Sequence, residues 1–177
     1  EACVTNLIEP GDRVLVCVNG FFGDRIRQMA ERQEAEITVI EEEWGKPIDP
    51  DRVAAALKQN AYKLVALVHA ETSTGVLQPV ADIARLAKEN GALMMLDTVS
   101  SLGGIEVKVD EWGIDGCFSC SQKCIGCSAG LAPITFSERA LDAVNKRKNP
   151  VRSWYLDISL IEKYWSSERV YHHTSSS

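Results

Sequence analysis

The stretch KLVALVHAETSTGVLQPVADIARLAKENGALMMLDTV, residues 63–99, decides the fold. Residues 63–70 form a short apolar run rich in branched side chains and read as a buried strand. Residues 79–91 begin with proline, end with glycine and space their apolar side chains on one face, which predicts a helix. Residues 92–99 return to strand. Strand, helix and strand in this order make a parallel crossover unit. Strands that are apolar throughout must be covered on both faces. The same alternation runs outward in both directions. Strands are expected at 13–18 and 36–41 upstream, and at 115–121 and 131–136 downstream. Helices are expected at 24–33, 49–60, 137–147 and 156–165, the second capped by Asp49 with Pro50 in its first turn. The downstream strands follow one another closely, which leaves room for an antiparallel member. The expected fold class is therefore α/β: a three-layer, mainly parallel sheet with helices on both faces.

In such a sheet, ligands bind beyond the carboxyl ends of the strands. Three expected strand ends carry polar residues: HAETSTG (69–75), DTVSSLGG (97–104) and SCSQK (119–123). Chemistry-bearing residues thus gather on one rim of one sheet. The 177 residues suffice for one α/β domain. A net charge of −6 argues against a nucleic-acid or anionic-membrane partner. No apolar run approaches the roughly 20 residues of a membrane span. The opening segment is already amphipathic and does not read as a signal peptide. Six cysteines without small-domain spacing read as reduced thiols, which points to the cytoplasm.

Four of those cysteines, Cys117, Cys120, Cys124 and Cys127, fall within DGCFSCSQKCIGCSAG, residues 115–130. Two C-x2-C pairs can supply a tetrahedral zinc site. Here, however, the pairs stand only three residues apart, and the first belongs to a strand whose alternate side chains diverge. No metal is expected. Lys123 stands between the pairs, directly after a strand. Taken alone it reads as a solvated lysine. Asp97 closes a buried strand; alone, it caps the turn that follows, yet a carboxylate at that place needs a partner. A lysine and an acid on one rim together match the needs of pyridoxal phosphate, which takes a lysine for covalent attachment and an acid beside its ring nitrogen. Hydroxyls at Thr72, Ser73 and Thr74, with Gln122, are candidate phosphate contacts, and Phe22 or Val99 can stack on the ring. His69 reads as structural, as do Gly103 and Gly104 in a turn.

HAETSTGVLQPV, LDTVSSLGG, WGIDGCFSCSQKCIG and YLDISLIEKYW followed by YHHT occur in that order, and the chain resembles the class V pyridoxal-phosphate aminotransferases, particularly the alanine–glyoxylate and serine–pyruvate kinds. The resemblance implies the large domain of a fold-type I transferase. It implies that Lys123 holds the cofactor covalently and Asp97 pairs with the pyridinium nitrogen. Val99 would lie under one ring face and Phe22 over the other, where many relatives carry tryptophan. Thr72 would sit near the ring oxygen and Gln122 at the phosphate. Tyr171 and Thr174 would reach the phosphate of a neighbouring subunit, so a homodimer is implied. The implied substrates are a small amino acid, alanine or serine, and a 2-oxo acid, glyoxylate or pyruvate. Residues 1–177 correspond to the central part of that domain, without the family's N-terminal phosphate loop or its C-terminal small domain. Arg147, Arg152 and Arg169 do not match the arginine that the small domain supplies. The rival expectation is a non-catalytic remnant that folds or oligomerises without turnover.

Overall fold

The computed structural model describes residues 1–167. Six strands form the main sheet: β1 (Arg13–Val18), β2 (Glu36–Glu41), β3 (Leu64–Val68), β6 (Leu93–Asp97), β7 (Gly116–Phe118) and β8 (Ile134–Phe136). Their order across it is β2-β1-β3-β6-β7-β8. The first five run parallel; β8 pairs antiparallel with β7. Between them lie α1 (Ala2–Leu7), α2 (Phe21–Arg32), α3 (Pro50–Gln59), α4 (Val80–Glu89), α5 (Val109–Trp112), α6 (Glu138–Asn145) and α7 (Ile158–Trp165).

The period-two alternation of the strands divides the core into two layers. Leu15, Cys17, Val65, Leu67, Met94 and Leu96 face α3 and α4, whose Val53, Leu57, Ile83 and Ala87 cover them. Val14, Val16, Leu64, Ala66, Leu93 and Met95 face α1, α2 and α6, through Val4, Leu7, Ile26, Ala30 and Val144. Both layers are fully buried at the centre, and each fully buried Val, Leu or Ile contributes roughly 1.5–3 kcal/mol. The edge strands β2 and β8 are largely exposed, as strands with one partner and thin cover are.

Two details differ from the sequence reading. The segment after β3 is not a plain strand end: β4 (Ala70–Glu71) and β5 (Val76–Leu77) form a small antiparallel hairpin. Gly75, at φ +74, lets the chain reverse there. The short helix α5 was not expected, because four residues are too few to show a helical period. The expected antiparallel strand is β8, and the Asp49 side chain does accept the Asp51 amide at the start of α3. Among the described residues no helix is long and apolar enough to cross a membrane.

Candidate active site

Strand β1 leads to β2 on one side, while β3 lies on its other side, so the sheet order reverses direction beside β1. Such a reversal opens a crevice at the carboxyl ends of the strands. A cavity of about 600 Å³ lies on this rim, on the α1 and α2 face. Its wall includes Asp97 from the end of β6, Lys123 and Gln122 from the loop after β7, Thr72 from the hairpin, Val99, and Phe22 from the first turn of α2. Six residues singled out in the sequence therefore share one cavity. Ser73 and Thr74, the other hydroxyls considered for the phosphate, are not on its wall; Tyr171 and Thr174 lie outside the described residues, as does Arg169.

Asp97 is buried, 7% exposed, although it belongs to the cavity wall. Burial pushes its carboxyl up to about 6; the Val99 amide, donating to Oδ1 at 2.8 Å, pulls the other way, and the nearby Glu71 charge pushes it up further. No ion pair reaches it among the described residues. The local turn bond and the cavity position coexist: one oxygen caps the turn while the side chain remains at the wall. The Asp97 and Lys123 segments are tied across the sheet beyond its last regular pairs. Thr98 Oγ1 donates to the Phe118 carbonyl at 2.9 Å, and Ser119 Oγ donates to the Thr98 carbonyl at 3.0 Å.

The Lys123 loop is closed on buried Ser121. Ser121 Oγ donates to the Ser128 carbonyl at 2.6 Å, and its backbone carbonyl accepts the Cys127 amide at 2.9 Å. The Gly126 amide bonds the Lys123 carbonyl at 2.9 Å, with Gly126 at φ +76, completing a tight turn behind the lysine. Thr72 Oγ1 meets the Ser100 hydroxyl, so the hairpin and the turn after β6 touch at the mouth.

The four loop cysteines do not converge. Cys117 is buried in the α3 and α4 layer, Cys120 lines the cavity, Cys124 Sγ points to the Ser100 carbonyl at 3.4 Å, and Cys127 is exposed. Among the described residues no group of three or more His, Cys, Asp or Glu side chains could hold a metal ion. His69 is away from the cavity wall, its Nδ1 3.0 Å from Ser101 Oγ and its ring edge-on to Trp112; burial lowers its pKa. Arg147 donates to the carbonyls of Asn6 and Ile8 at the end of α1, and Arg152 pairs with Glu34.

Sequence reasoning missed Arg25, Arg32 and Glu71. The two arginines line the cavity, and Arg25 lies 5.0 Å from the ring centres of both Phe21 and Phe22. The helical spacing of Phe22, Arg25 and Met29 was the available signal, since residues three and four apart share a face. Glu71 is fully buried beneath the start of α2. The matching signal was one acid among hydroxyls in AETST, with no indication of its distant partner.

The aminotransferase class-V family model matches residues 1–151. The chain belongs to that family. It is 39% identical over 194 residues to the (S)-ureidoglycine–glyoxylate transaminase of Bacillus subtilis, covering 99% of this chain and 47% of that protein. It is 39% identical over 181 residues to the alanine–glyoxylate aminotransferase of Drosophila melanogaster, covering all of this chain and 46% of that protein. The solved alanine–glyoxylate aminotransferase of Nostoc superposes with a TM-score of 0.94 at 46% identity, over 98% of this chain and 46% of that one. The class V member thus spans about half the length of the relatives it matches, and its sheet and helices are those of solved aminotransferases.

Proposed function

We propose that the cavity is a pyridoxal-phosphate site and that the protein transfers an amino group from a small amino acid, alanine or serine, to a 2-oxo acid, glyoxylate or pyruvate. The donor set fits the cofactor. Asp97 is the observation that carries the reading: a buried carboxylate, held basic by burial and without an ion pair among the described residues, is an acceptor suited to a ring N–H. Phe22 and Val99 supply apolar wall for the ring. Thr72 and Gln122 supply polar contacts, and Arg25 or Arg32 adds positive charge for an anionic group. When bound, the cofactor supplies an electron sink for the carbon that loses its proton.

The chain's own residues do the rest. Lys123, on the tight turn, would hold the cofactor, and its free amine would take the proton from the substrate's α-carbon. Asp97 would accept the ring N–H. The glyoxylate preference rests on relatives whose names specify glyoxylate. We take the protein to act as a homodimer; the exposed Phe21, whose ring meets Phe22 and Arg25 of the cavity wall, supports a partner surface there.

The test is amino transfer with nitrogen-labelled alanine or serine and unlabelled glyoxylate, using the protein at its natural length. Labelled glycine should form, and Lys123→Ala should abolish it. Absence of labelled glycine from the parent, with pyruvate as acceptor giving no transfer either, would overturn the proposal and favour a non-catalytic role.

A further inference from the structure

Glu71 lies on the second residue of β4, far in sequence from α2, yet it is fully buried against that helix's first turn. Its Oε2 accepts the Phe22 amide at 3.2 Å and the Gly23 amide at 3.1 Å. Its Oε1 accepts the Ser73 amide at 3.2 Å and the Ser73 hydroxyl at 2.7 Å. Ser73 Oγ in turn accepts the Phe21 amide at 2.9 Å. The opening amides of a helix have no partner within it, and α2 has no side-chain cap of its own from Gly20. A carboxylate from another element satisfies them and meets the positive end of the helix dipole.

The arrangement leaves no room for another residue at position 20. A Cβ on Gly20 would lie 2.4 Å from Glu71 Cγ and 2.5 Å from Ser73 Oγ. Gly20 has an extended backbone (φ 176°), so glycine is required by the carboxylate's proximity and not by backbone strain. Two short elements, NGFFG and AETST, are therefore built around one buried anion.

We infer that Glu71 is a positioning residue: through the first-turn amides of α2 it holds Phe22 at the cavity wall, and so sets the cavity's fit to a flat ring. This inference rests on the pyridoxal-phosphate reading of the cavity. An amide cannot replace the carboxylate. Glutamine offers one acceptor oxygen, and its NH2 would face amide donors. Ser73 shares the task, because its hydroxyl bridges Glu71 to the Phe21 amide.

The experiment uses Phe22→Trp as a reporter in the natural-length protein, with the parent subtracted for the native tryptophans. Glu71→Gln and, independently, Gly20→Ala are placed in this background. Gly20→Ala leaves the charge intact and displaces the carboxylate. Acrylamide quenching without cofactor reads whether residue 22 is held; pyridoxal-phosphate titration reads the fit. Both substitutions should raise the quenching constant at least twofold and the cofactor dissociation constant about tenfold or more. Thermal midpoints serve as the structural control. Lower midpoints in both variants, with quenching and dissociation constants within a factor of 1.5 of the reporter protein, would reduce Glu71 to a stability residue and overturn the inference. Gly20→Ala decides the matter by the same criteria if Glu71→Gln fails to fold. If the unsubstituted protein binds no pyridoxal phosphate, the proposed function fails, and the cofactor-free quenching still shows whether Glu71 holds residue 22; if only the reporter fails to bind, the dissociation constants are read on Glu71→Gln and Gly20→Ala in the unsubstituted protein.

Discussion

At the scale of single residues, Asp97 combines a stability cost with the chemistry assigned to it. Its ordinary value near 3.8 rises to about 6 in the folded chain. Between those values the folded state holds a proton that the unfolded state has released, so stability falls as pH rises through that window. A rise of this size corresponds to about 3 kcal/mol at neutral pH. Asp97→Asn keeps an oxygen for the Val99 amide and removes the buried charge. The cofactor-free variant should be more stable than the parent at pH 8 by about 1–3 kcal/mol, and the gain should vanish below about pH 4. Denaturant unfolding across this range checks it; a variant equal to or weaker than the parent at pH 8 would show that the charge is not strained. Asp97 was legible in sequence because a carboxylate ends a run of apolar residues. Lys123 was legible only in company with it, since a lysine after a strand is ordinary. Glu71 left only a weak mark, an acid among hydroxyls: Ser73 is a local partner, but the Phe22 and Gly23 amides it accepts lie in a distant segment and leave no mark in side-chain identity.

At the scale of elements, the α/β alternation was readable because each long segment repeats its pattern. The hairpin and α5 escaped because two- and four-residue elements carry no period. The strands also show why the active rim and the opposite rim separate in function. At the amino end of β7, buried Asp115 accepts the Met94 amide at 2.8 Å, the Ser137 hydroxyl at 2.7 Å and Arg139 Nε at 3.0 Å. Ser137 also caps α6 through the Ala140 amide at 3.1 Å. This cluster joins β6, β7 and α6 at the end of the sheet away from the cavity. Arg139→Met leaves the Asp115 carboxylate without its counter-charge. The arginine is 40% exposed, so water offsets part of the loss, and a cost of about 2 kcal/mol is expected. Pyridoxal-phosphate affinity of the folded variant should stay within twofold of the parent. An affinity loss of tenfold with unchanged stability would mean that the two rims are coupled.

At the scale of the molecule, one sheet reversal beside β1 brings segments from separate parts of the chain to one cavity. Phe22 follows β1, Thr72 follows β4 in the hairpin after β3, Asp97 ends β6 with Val99 in the turn beyond it, and Lys123 follows β7. The chain superposes on a solved aminotransferase with a TM-score of 0.94 and spans about half the length of the relatives it matches. The central claim is that Lys123, among all the lysines, is the one that attaches pyridoxal phosphate. Incubation of the natural-length protein with pyridoxal phosphate, reduction with borohydride and peptide mass mapping test it directly. One stoichiometric pyridoxyl adduct is expected, on the peptide containing Lys123, lost in Lys123→Ala. A stoichiometric adduct on another lysine, or none on Lys123, would contradict it.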